Sequence, residues 1–451
     1  MNTAIILILS FVAVLSLKQI FIKYDKIKSD IVLKALAVAF VFIGISRFFL
    51  SDYFAEKVTD FADPFHTFLR WGYHIGYAVI PIAVFFNNRL LRNIATCFSL
   101  PMAIISAFAF DSTMEYFLKK GAYGFYLNPH FRYFYYSLEL IIAIILPLLM
   151  QMQYKHVINI KNKKEVLLTI GMIPLIMLQM MPSYIPYTII REHIIKIGMF
   201  SPLHIVWIII IPILIVVLHN VFNRKSEYEK RTFISFLALA QLIHTMTTFL
   251  KGFTYSRLPL QLCNIAAFFF LFALIRKDQK FFNFCYLSTI VGAFIAIIIY
   301  DVTNTNLVWF WNLHYVYEHT YVVTGPILCV SLGIFKRIDR TAIKSALKYF
   351  SIYYLSVFIV GILINIFAGS PDIFLVNFFY MFNPATAVKL IPFAGFTKLI
   401  EIDLGVTKIY PILMVMVYII FLAFNVIHYF ITARVYKIID KTRQKIATTK
   451  K

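Results

Sequence analysis

The sequence predicts an all-α fold, a polytopic transmembrane helical bundle of about thirteen spans. Of the 451 residues, 61% are hydrophobic and only 14% are charged, and a water-soluble protein of this length cannot hide so much apolar surface. Apolar runs of about 18 to 23 residues, the length that crosses a bilayer as a helix, recur along the chain. Every second loop between these runs is rich in lysine and arginine.

The thirteen predicted spans follow one another through mostly short loops. Helices are expected because each satisfies its own backbone hydrogen bonds in lipid. The first span begins almost at Met1 with no preceding positive charge and no small-residue cleavage site, so we expect a retained anchor rather than a signal peptide. We predict spans near residues 3–22, 31–50, 68–86, 93–110, 131–153, 165–183, 203–222, 231–250, 258–275, 282–300, 316–335, 346–367 and 408–430.

The net charge of +22 is distributed unevenly between the two predicted faces of the membrane. One set of alternate loops, together with the tail from Arg434, holds 30 of the 43 Lys and Arg residues. This asymmetry is the positive-inside pattern, which predicts an outer N-terminus and a cytoplasmic C-terminus in the plasma membrane. The expected partners are therefore membrane phospholipids, with anionic headgroups at the cytoplasmic loops. No nucleic-acid partner is expected.

Polar landmarks predict that the spans form two tandem units. Cys97 lies near the start of a span that ends in Asp111, and Cys285 lies near the start of a span that ends in Asp301. Because each unit holds six spans, both copies have the same orientation, which is a parallel repeat. A final thirteenth span is predicted to follow the two units. Any two series of apolar helices can be aligned, but here polar residues match as well. We predict a degenerate first repeat at 1–202, a second repeat at 203–430 and a basic cytoplasmic tail at 431–451.

One cysteine and one histidine of the second repeat are predicted to lie at the same depth near the outer face. Pro259 suits the first turn of a span that starts at 258, which puts Cys263 about one turn into the membrane. The span at 316–335 descends from the same side and brings His319 to a similar depth. A histidine can take the proton of a thiol, which then attacks an ester carbonyl. Cys263 and His319 are thus the predicted catalytic pair.

Several polar residues near this pair are predicted to bind substrate. Gln261 and Asn264 could stabilise an oxyanion, and Glu318 could pair with His314 one turn away. The long outer segment near 368–407 could fold over the outer mouth as a lid or lie flat at the interface. The predicted substrate-binding residues are Gln261, Asn264, His244, Asp301, His314, Glu318, Asn377 and Tyr380.

Simpler interpretations of the same residues stay open. A lone Cys in a membrane helix is usually a small packing residue, and His319 could merely bond a neighbouring helix. His244 belongs to a polar stripe that could line a cavity. The four cysteines form no disulfide framework, and the sequence contains no C-x-x-C pair, metal spacing or nucleotide loop. No metal and no cofactor are expected.

The stretch from Leu258 to Cys263 resembles the YwaF-like integral membrane family. In that family Leu-Pro-Leu-x-Leu-Cys is followed by an Asp that closes the next span, here Asp301, and by a His at the entry of the one after. The tail pattern of Asn365, Asn377 and Pro384 is similar too. The resemblance covers about 203–430.

Animal members of that family look like cysteine-dependent phospholipid acyltransferases that move acyl chains onto a lysophospholipid. The resemblance therefore implies a lysophospholipid transacylase, with Cys263 and His319 at the positions of the family's Cys and His. The family pattern often has His two residues before the Cys, where this chain has Gln261.

Two other functions compete with the acyltransferase hypothesis. Parallel repeats are a recurring plan of transporters, and Pro174 and Pro212 interrupt two spans. A transporter of a small or lipid-like substrate would need no covalent chemistry. A non-catalytic scaffold is the third possibility, and only the degenerate first repeat favours it.

Overall fold

The computed structural model is all-α and bears out the predicted class of fold. The residues that it describes are 2–23, 26–50, 64–113, 129–154, 161–183, 185–186, 190, 195–246, 255, 258–300, 306–368, 376–384, 394–405 and 407–449. Within these residues seven helices are long and apolar enough to cross a membrane by length and composition, and three further apolar helices are shorter. The chain is therefore a helical membrane protein, whereas the count of thirteen spans stays a prediction.

A helix lies at every one of the thirteen predicted segments. Those of the first half are α1 Asn2–Lys23, α2 Lys26–Leu50, α3 Pro64–Phe86, α4 Arg89–Ile94, α5 Leu100–Phe108, α6 Pro129–Tyr154 and α7 Lys163–Gln179. Those of the second half are α8 Pro202–Phe222, α9 Glu227–Met246, α10 Leu262–Arg276, α11 Gln279–Phe284, α12 Ile290–Ile298, α13 Phe310–Ser331, α14 Arg340–Ala368 and α15 Pro411–Thr449. Two antiparallel strands of two residues each, β1 Ile402–Asp403 and β2 Lys408–Ile409, form a hairpin before the last helix.

The chain divides into two compact units. This division does not test the predicted boundaries of the second repeat at 203 and of the basic tail at 431. Unit 1 comprises Met1–Lys196, Arg231–Phe253 and Asn304–His314. In unit 1, α6 packs against α1, α2 and α5. Gly44 on α2 leaves room for the ring of Tyr77 on α3, which also stacks on Phe40. Such a small residue lets two helices approach closely, as is usual in membrane bundles.

Unit 2 comprises Ile197–Lys230, Thr254–Thr303 and Tyr315–Lys451. In this unit α14 packs against α11 and α15. Polar side chains join the buried helices as well: the hydroxyl of Ser288 donates to Oδ1 of Asn425 on α15 at 2.6 Å. Both residues are at most 1% exposed, so the hydrogen bond satisfies groups that lipid cannot.

Two helices, one in each unit, are interrupted by a π-helical turn of five residues. Ala95–Ser99 joins α4 to α5, and Cys285–Thr289 joins α11 to α12. In both cases the preceding helix has six residues and the following one has nine. Each interrupted helix starts after a residue with left-handed backbone, Asn87 in unit 1 and Lys277 in unit 2.

The interrupted helices also share a buried asparagine at the fifth position of the first segment. In unit 1, Nδ2 of Asn93 donates to Oε1 of Glu165 on α7 at 2.9 Å. In unit 2, Nδ2 of Asn283 donates to the hydroxyl of Ser345 on α14 at 3.1 Å. A tandem duplication would produce this shared pattern, so the pattern supports the predicted repeat, which stays a prediction.

Candidate functional site

Cys263 is the second residue of α10, closer to the helix start than the sequence predicts. The prediction of a helix start at 258 with Pro259 in the first turn is wrong, because Gln261 is the extended N-cap with φ −71° and ψ 147°. The first backbone N–H groups of a helix have no partner within it and present partial positive charge. Cys263 therefore lies where backbone donors are available, and the amides of Cys263 and Asn264 interact with its sulfur. The thiol itself donates to Oδ1 of Asn264 at 3.1 Å.

The side chain of His319 on α13 is held in one tautomer. Nδ1 lies 2.7 Å from the backbone oxygen of Tyr315, and because a carbonyl only accepts, Nδ1 carries the hydrogen. The ring also packs on that of Tyr315 with centroids 4.1 Å apart. In the neutral ring Nε2 then has a lone pair that can accept a proton.

Helices α10 and α13 are in parallel register within unit 2. The carboxylate of Glu318, the residue before His319, interacts electrostatically with Cys263. Seven residues further along each helix, Gly325 faces Phe270 so closely that a Cβ on Gly325 would lie 2.9 Å from the Phe270 ring. Residues 318 and 325 of α13 and residues 263 and 270 of α10 have the same spacing, so we infer that the turn carrying Glu318 and His319 is level with the first turn of α10.

Tyr353 on α14 is a neighbour of Cys263 that the sequence analysis missed. Its hydroxyl donates to the backbone oxygen of Leu260 at 2.7 Å, and it interacts electrostatically with Cys263. The residue is 8% exposed. No sequence signal could have found it, because tyrosines are frequent in this chain and Tyr353 lies 90 positions away from Cys263.

The segment 376–384 is tied to the start of α10. Its backbone N–H at Phe379 donates to Oε1 of Gln261 at 3.1 Å. Phe379 and Tyr380 both have left-handed backbone, with φ 54° and 58°, a conformation that costs a non-glycine residue about 1 kcal/mol or more. Phe379 is 3% exposed, so this part of the predicted lid or interfacial segment is buried within unit 2.

The two predicted substrate-binding residues of that segment have different surroundings. Oδ1 of Asn377 accepts the backbone N–H groups of Phe382 and Asn383, each at 3.0 Å, which assigns this side chain a role in shaping the segment. Tyr380 is 42% exposed. Asn365 on α14 anchors the start of the segment through two hydrogen bonds with the backbone of Val376.

Three further residues were predicted to bind substrate. His244 and His314 belong to unit 1, where Nε2 of the first lies 3.1 Å from Nδ1 of the second and the rings stack with centroids 4.9 Å apart. Asp301 lies outside the described residues. Among the residues that the structure does describe, no three His, Cys, Asp or Glu side chains are grouped as a metal ion would require.

The family model that matches the chain covers residues 199–432, a little over half of its length, and is that of the TMEM164 family. The chain belongs to the TMEM164 family. The matched region contains Cys263, Glu318, His319 and Tyr353, and it leaves out most of unit 1 and nearly all of the predicted basic tail. The resemblance to the YwaF-like family stays a prediction. No curated protein and no solved structure matches the chain.

Proposed function

We propose that this protein is a membrane-embedded phospholipid acyltransferase that uses Cys263 and His319 in unit 2. The observation that carries the proposal is the parallel register of α10 and α13, which keeps the two residues level. The fixed tautomer of His319 supports it, because Nε2 is the nitrogen that a general base needs. The backbone amides at the start of α10 support it as well, because they can stabilise charge that develops at the reacting carbonyl.

The proposed first step transfers an acyl chain from a donor phospholipid to the cysteine. Sγ of Cys263 bonds the ester carbonyl carbon while Nε2 of His319 takes the thiol proton. A negative charge on Glu318 would repel a free thiolate, so we propose that the proton leaves as the sulfur attacks and not before. The ester C–O bond then breaks, the departing lysophospholipid oxygen takes the proton from His319, and a thioester remains.

The second step passes the acyl chain to an acceptor lysophospholipid. His319 takes the proton of the acceptor hydroxyl while its oxygen bonds the thioester carbon. The C–S bond breaks, and the proton returns from His319 to the sulfur. Atoms and charge balance without a metal, a nucleotide or a redox partner.

Phospholipids are the proposed substrates because of where the first turn of α10 is expected to lie. A site close to the outer end of a span is at the level of glycerol ester bonds. We therefore propose that donor and acceptor enter from the outer leaflet of the plasma membrane. The basic loops and tail would contact anionic headgroups on the cytoplasmic side.

The test is acyl exchange in vesicles that contain the purified protein, an isotope-labelled phospholipid donor and a lysophospholipid acceptor. Cys263→Ala should abolish exchange, and His319→Asn should lower it by about 10²- to 10⁴-fold. Cys285→Ala is the matched control, since Cys285 is another free cysteine of unit 2, and it should retain exchange. Mass spectrometry should find a hydroxylamine-sensitive acyl group on Cys263 of the active protein. Unchanged exchange in Cys263→Ala would overturn the proposal.

The same vesicles distinguish the transporter hypothesis. Uptake of a substrate that survives both Cys263→Ala and His319→Asn, in a protein without acyl exchange, would favour a transporter. Loss of every activity together with normal folding in both variants would favour the covalent mechanism.

A further inference from the structure

The side chain of Phe379 fills a position in unit 2 that is lined by aromatic rings. The residue belongs to the segment 376–384 and is 3% exposed. Its ring contacts three rings of α14 and one of α15. The centroid distances are 5.3 Å to Phe421, 5.4 Å to Tyr354, 6.0 Å to Tyr353 and 6.2 Å to Phe350. We call the space between these four rings the aromatic seat.

The aromatic seat adjoins the start of α10, where Cys263 lies. Tyr353 lines the seat, and its hydroxyl donates to the backbone oxygen of Leu260 at 2.7 Å. The same tyrosine interacts electrostatically with Cys263. The backbone N–H of Phe379 donates to Oε1 of Gln261, the N-cap of α10, at 3.1 Å. Phe379 is therefore joined to the start of α10 both by its backbone and through the ring of Tyr353.

The backbone that holds Phe379 in the seat is strained. Phe379 has φ 54° and ψ 15°, and the next residue, Tyr380, has φ 58°. Bulky residues rarely adopt this left-handed conformation, and those that do are concentrated at ligand clamps and switch regions. The surroundings impose it here, because Oδ1 of Asn377 accepts two backbone N–H groups of the segment and the ring of Phe382 packs against Gly361 on α14. Movement of the segment away from the seat would release this strain.

The proposed acyl transfer needs a site for hydrocarbon beside the sulfur of Cys263. The acyl chain begins at the carbonyl carbon that the sulfur bonds, so its first methylene groups must lie next to the start of α10. The aromatic seat offers uncharged ring surfaces at this place. In lipid, a leaving ring and an entering chain both exchange one apolar environment for another, so their burial energies largely cancel. The hydrogen bond from Phe379 to Gln261 opposes the exchange, whereas relief of the strained backbone favours it.

We propose that the aromatic seat is the binding site for the acyl chain of the donor phospholipid, and that Phe379 is a plug that fills the seat until the chain replaces it. The ligand is a fatty acyl chain, which ring surfaces recognise without hydrogen bonds. The identity of this ligand rests on the proposed acyl transfer. With Phe379 in the seat, Cys263 is shielded from other electrophiles; with Phe379 displaced, the ester of a seated chain reaches the sulfur.

The rate at which N-ethylmaleimide labels Cys263 tests the plug in the full-length protein in vesicles. Phe379→Ala empties the seat, so labelling of Cys263, followed by mass spectrometry, should become faster by about tenfold or more. Labelling of Cys285, which is 0% exposed, should stay unchanged in the same molecules, because it reports opening of unit 2 as a whole. Phe424→Ala removes an exposed ring of α15 outside the seat and should label like wild type. Unchanged labelling of Cys263 in Phe379→Ala, or an equal increase at Cys285 or in Phe424→Ala, would overturn the plug.

Photo-cross-linking of the wild-type protein tests the ligand and does not depend on the folding of a variant. The probe is a phosphatidylcholine whose acyl chain carries a diazirine a few carbons from the ester, and mass spectrometry locates the adducts. Phe350 is 0% exposed, so an adduct there requires that the chain has entered the seat. Cys263→Ala keeps the seat and should give the same adduct. An adduct at Phe350 without any acyl exchange would support the seat and count against the proposed function, whereas no adduct on any of the four rings would overturn this inference.

Discussion

At the scale of single residues, the two side chains of the candidate site are oriented by hydrogen bonds to residues of their own helices. Nδ1 of His319 donates to the backbone carbonyl of Tyr315, and the thiol of Cys263 donates to the side-chain oxygen of Asn264. The chemistry that such a pair can perform depends on how closely α10 and α13 approach, and Gly325 on α13 faces the ring of Phe270 on α10.

Gly325→Ala tests that close approach. A Cβ at this position would meet the Phe270 ring at 2.9 Å, so the ring or one of the two helices must shift, at a cost of about 1 to 3 kcal/mol. We expect a lower Tm and a lower rate of acyl exchange. Gly171→Ala is the matched control, because nothing lies within 4 Å of the added methyl group and alanine favours a helix by about 1 kcal/mol. Equal effects of the two substitutions would contradict the prediction.

Gln261→Ala tests the tie between α10 and the segment 376–384. Removing Oε1 leaves the backbone N–H of Phe379 without this acceptor, which costs about 1 to 3 kcal/mol for a buried donor. Hydrogen exchange at the amides of 376–384 should therefore become faster by roughly ten- to a hundredfold. Asn264→Ala removes an amide one turn away that accepts only from Cys263 in the described contacts, and it should leave that exchange unchanged. Similar rates of hydrogen exchange in the two variants would contradict this prediction.

At the scale of elements, helix starts are set by short polar sequences at the ends of apolar runs. Asp339 precedes α14, and its Oδ1 accepts the hydroxyl and backbone N–H of Thr341 and the N–H of Ala342. These hydrogen bonds, led by that of the Thr341 hydroxyl, hold the pKa of the Asp339 carboxyl below its ordinary value. Asp339 is an ionisable group outside the predicted spans, so its effect on folding can be tested by a change of pH.

Asp339→Ala should lower the free energy of unfolding by about 1 kcal/mol at neutral pH. Because the folded pKa is depressed, the contribution is complete above the unfolded pKa of about 3.9 and is lost as pH falls through the folded pKa. Thermal unfolding at neutral and at acid pH should therefore show a difference between wild type and variant that shrinks in acid. Asp339→Asn, which keeps an acceptor, should lose less stability at neutral pH. A difference that is constant with pH would contradict this account.

Helix positions were predictable because length and hydropathy determine which segments can span a bilayer. Exact ends were harder to place: α10 starts four residues later than expected, since the chain around Pro259 is not yet helical. The π-helical turns leave no pattern in hydropathy, and they were not foreseen.

Contacts between distant side chains were the least predictable part of the site. Depth along a span could be counted from the sequence, which is how Cys263 and His319 were matched. The rotation of a helix about its own axis could not be predicted, because α13 carries apolar residues on most of its faces. The electrostatic interaction of Glu318 with Cys263 and the contact of His314 with His244 both depend on that rotation.

At the scale of the whole molecule, the distribution of charge predicts the orientation in the membrane. The long last helix carries its basic end into the predicted cytoplasmic side, whereas the hairpin of β1 and β2 lies on the predicted outer side. Thirty basic residues on one face make the reverse orientation unfavourable.

Cysteine labelling tests that orientation. In a cysteine-free background, Leu404→Cys should react with a membrane-impermeant maleimide added to intact cells, because Leu404 is exposed in the hairpin. Thr442→Cys should react only after the membrane is permeabilised. The opposite pattern would place the N-terminus in the cytoplasm and the candidate site on the inner face.

At the two π-helical turns, the number of residues matters to the structure as much as the types of residue do. A π turn holds one residue more than an α turn, and an α-helix rotates by about 100° for every residue. Deleting a single amino acid from Cys285–Thr289 would thus leave a regular and equally hydrophobic helix, but the side chains of α12 would face in a new direction. We therefore expect related sequences to tolerate substitutions at these two π-helical turns but not insertions or deletions.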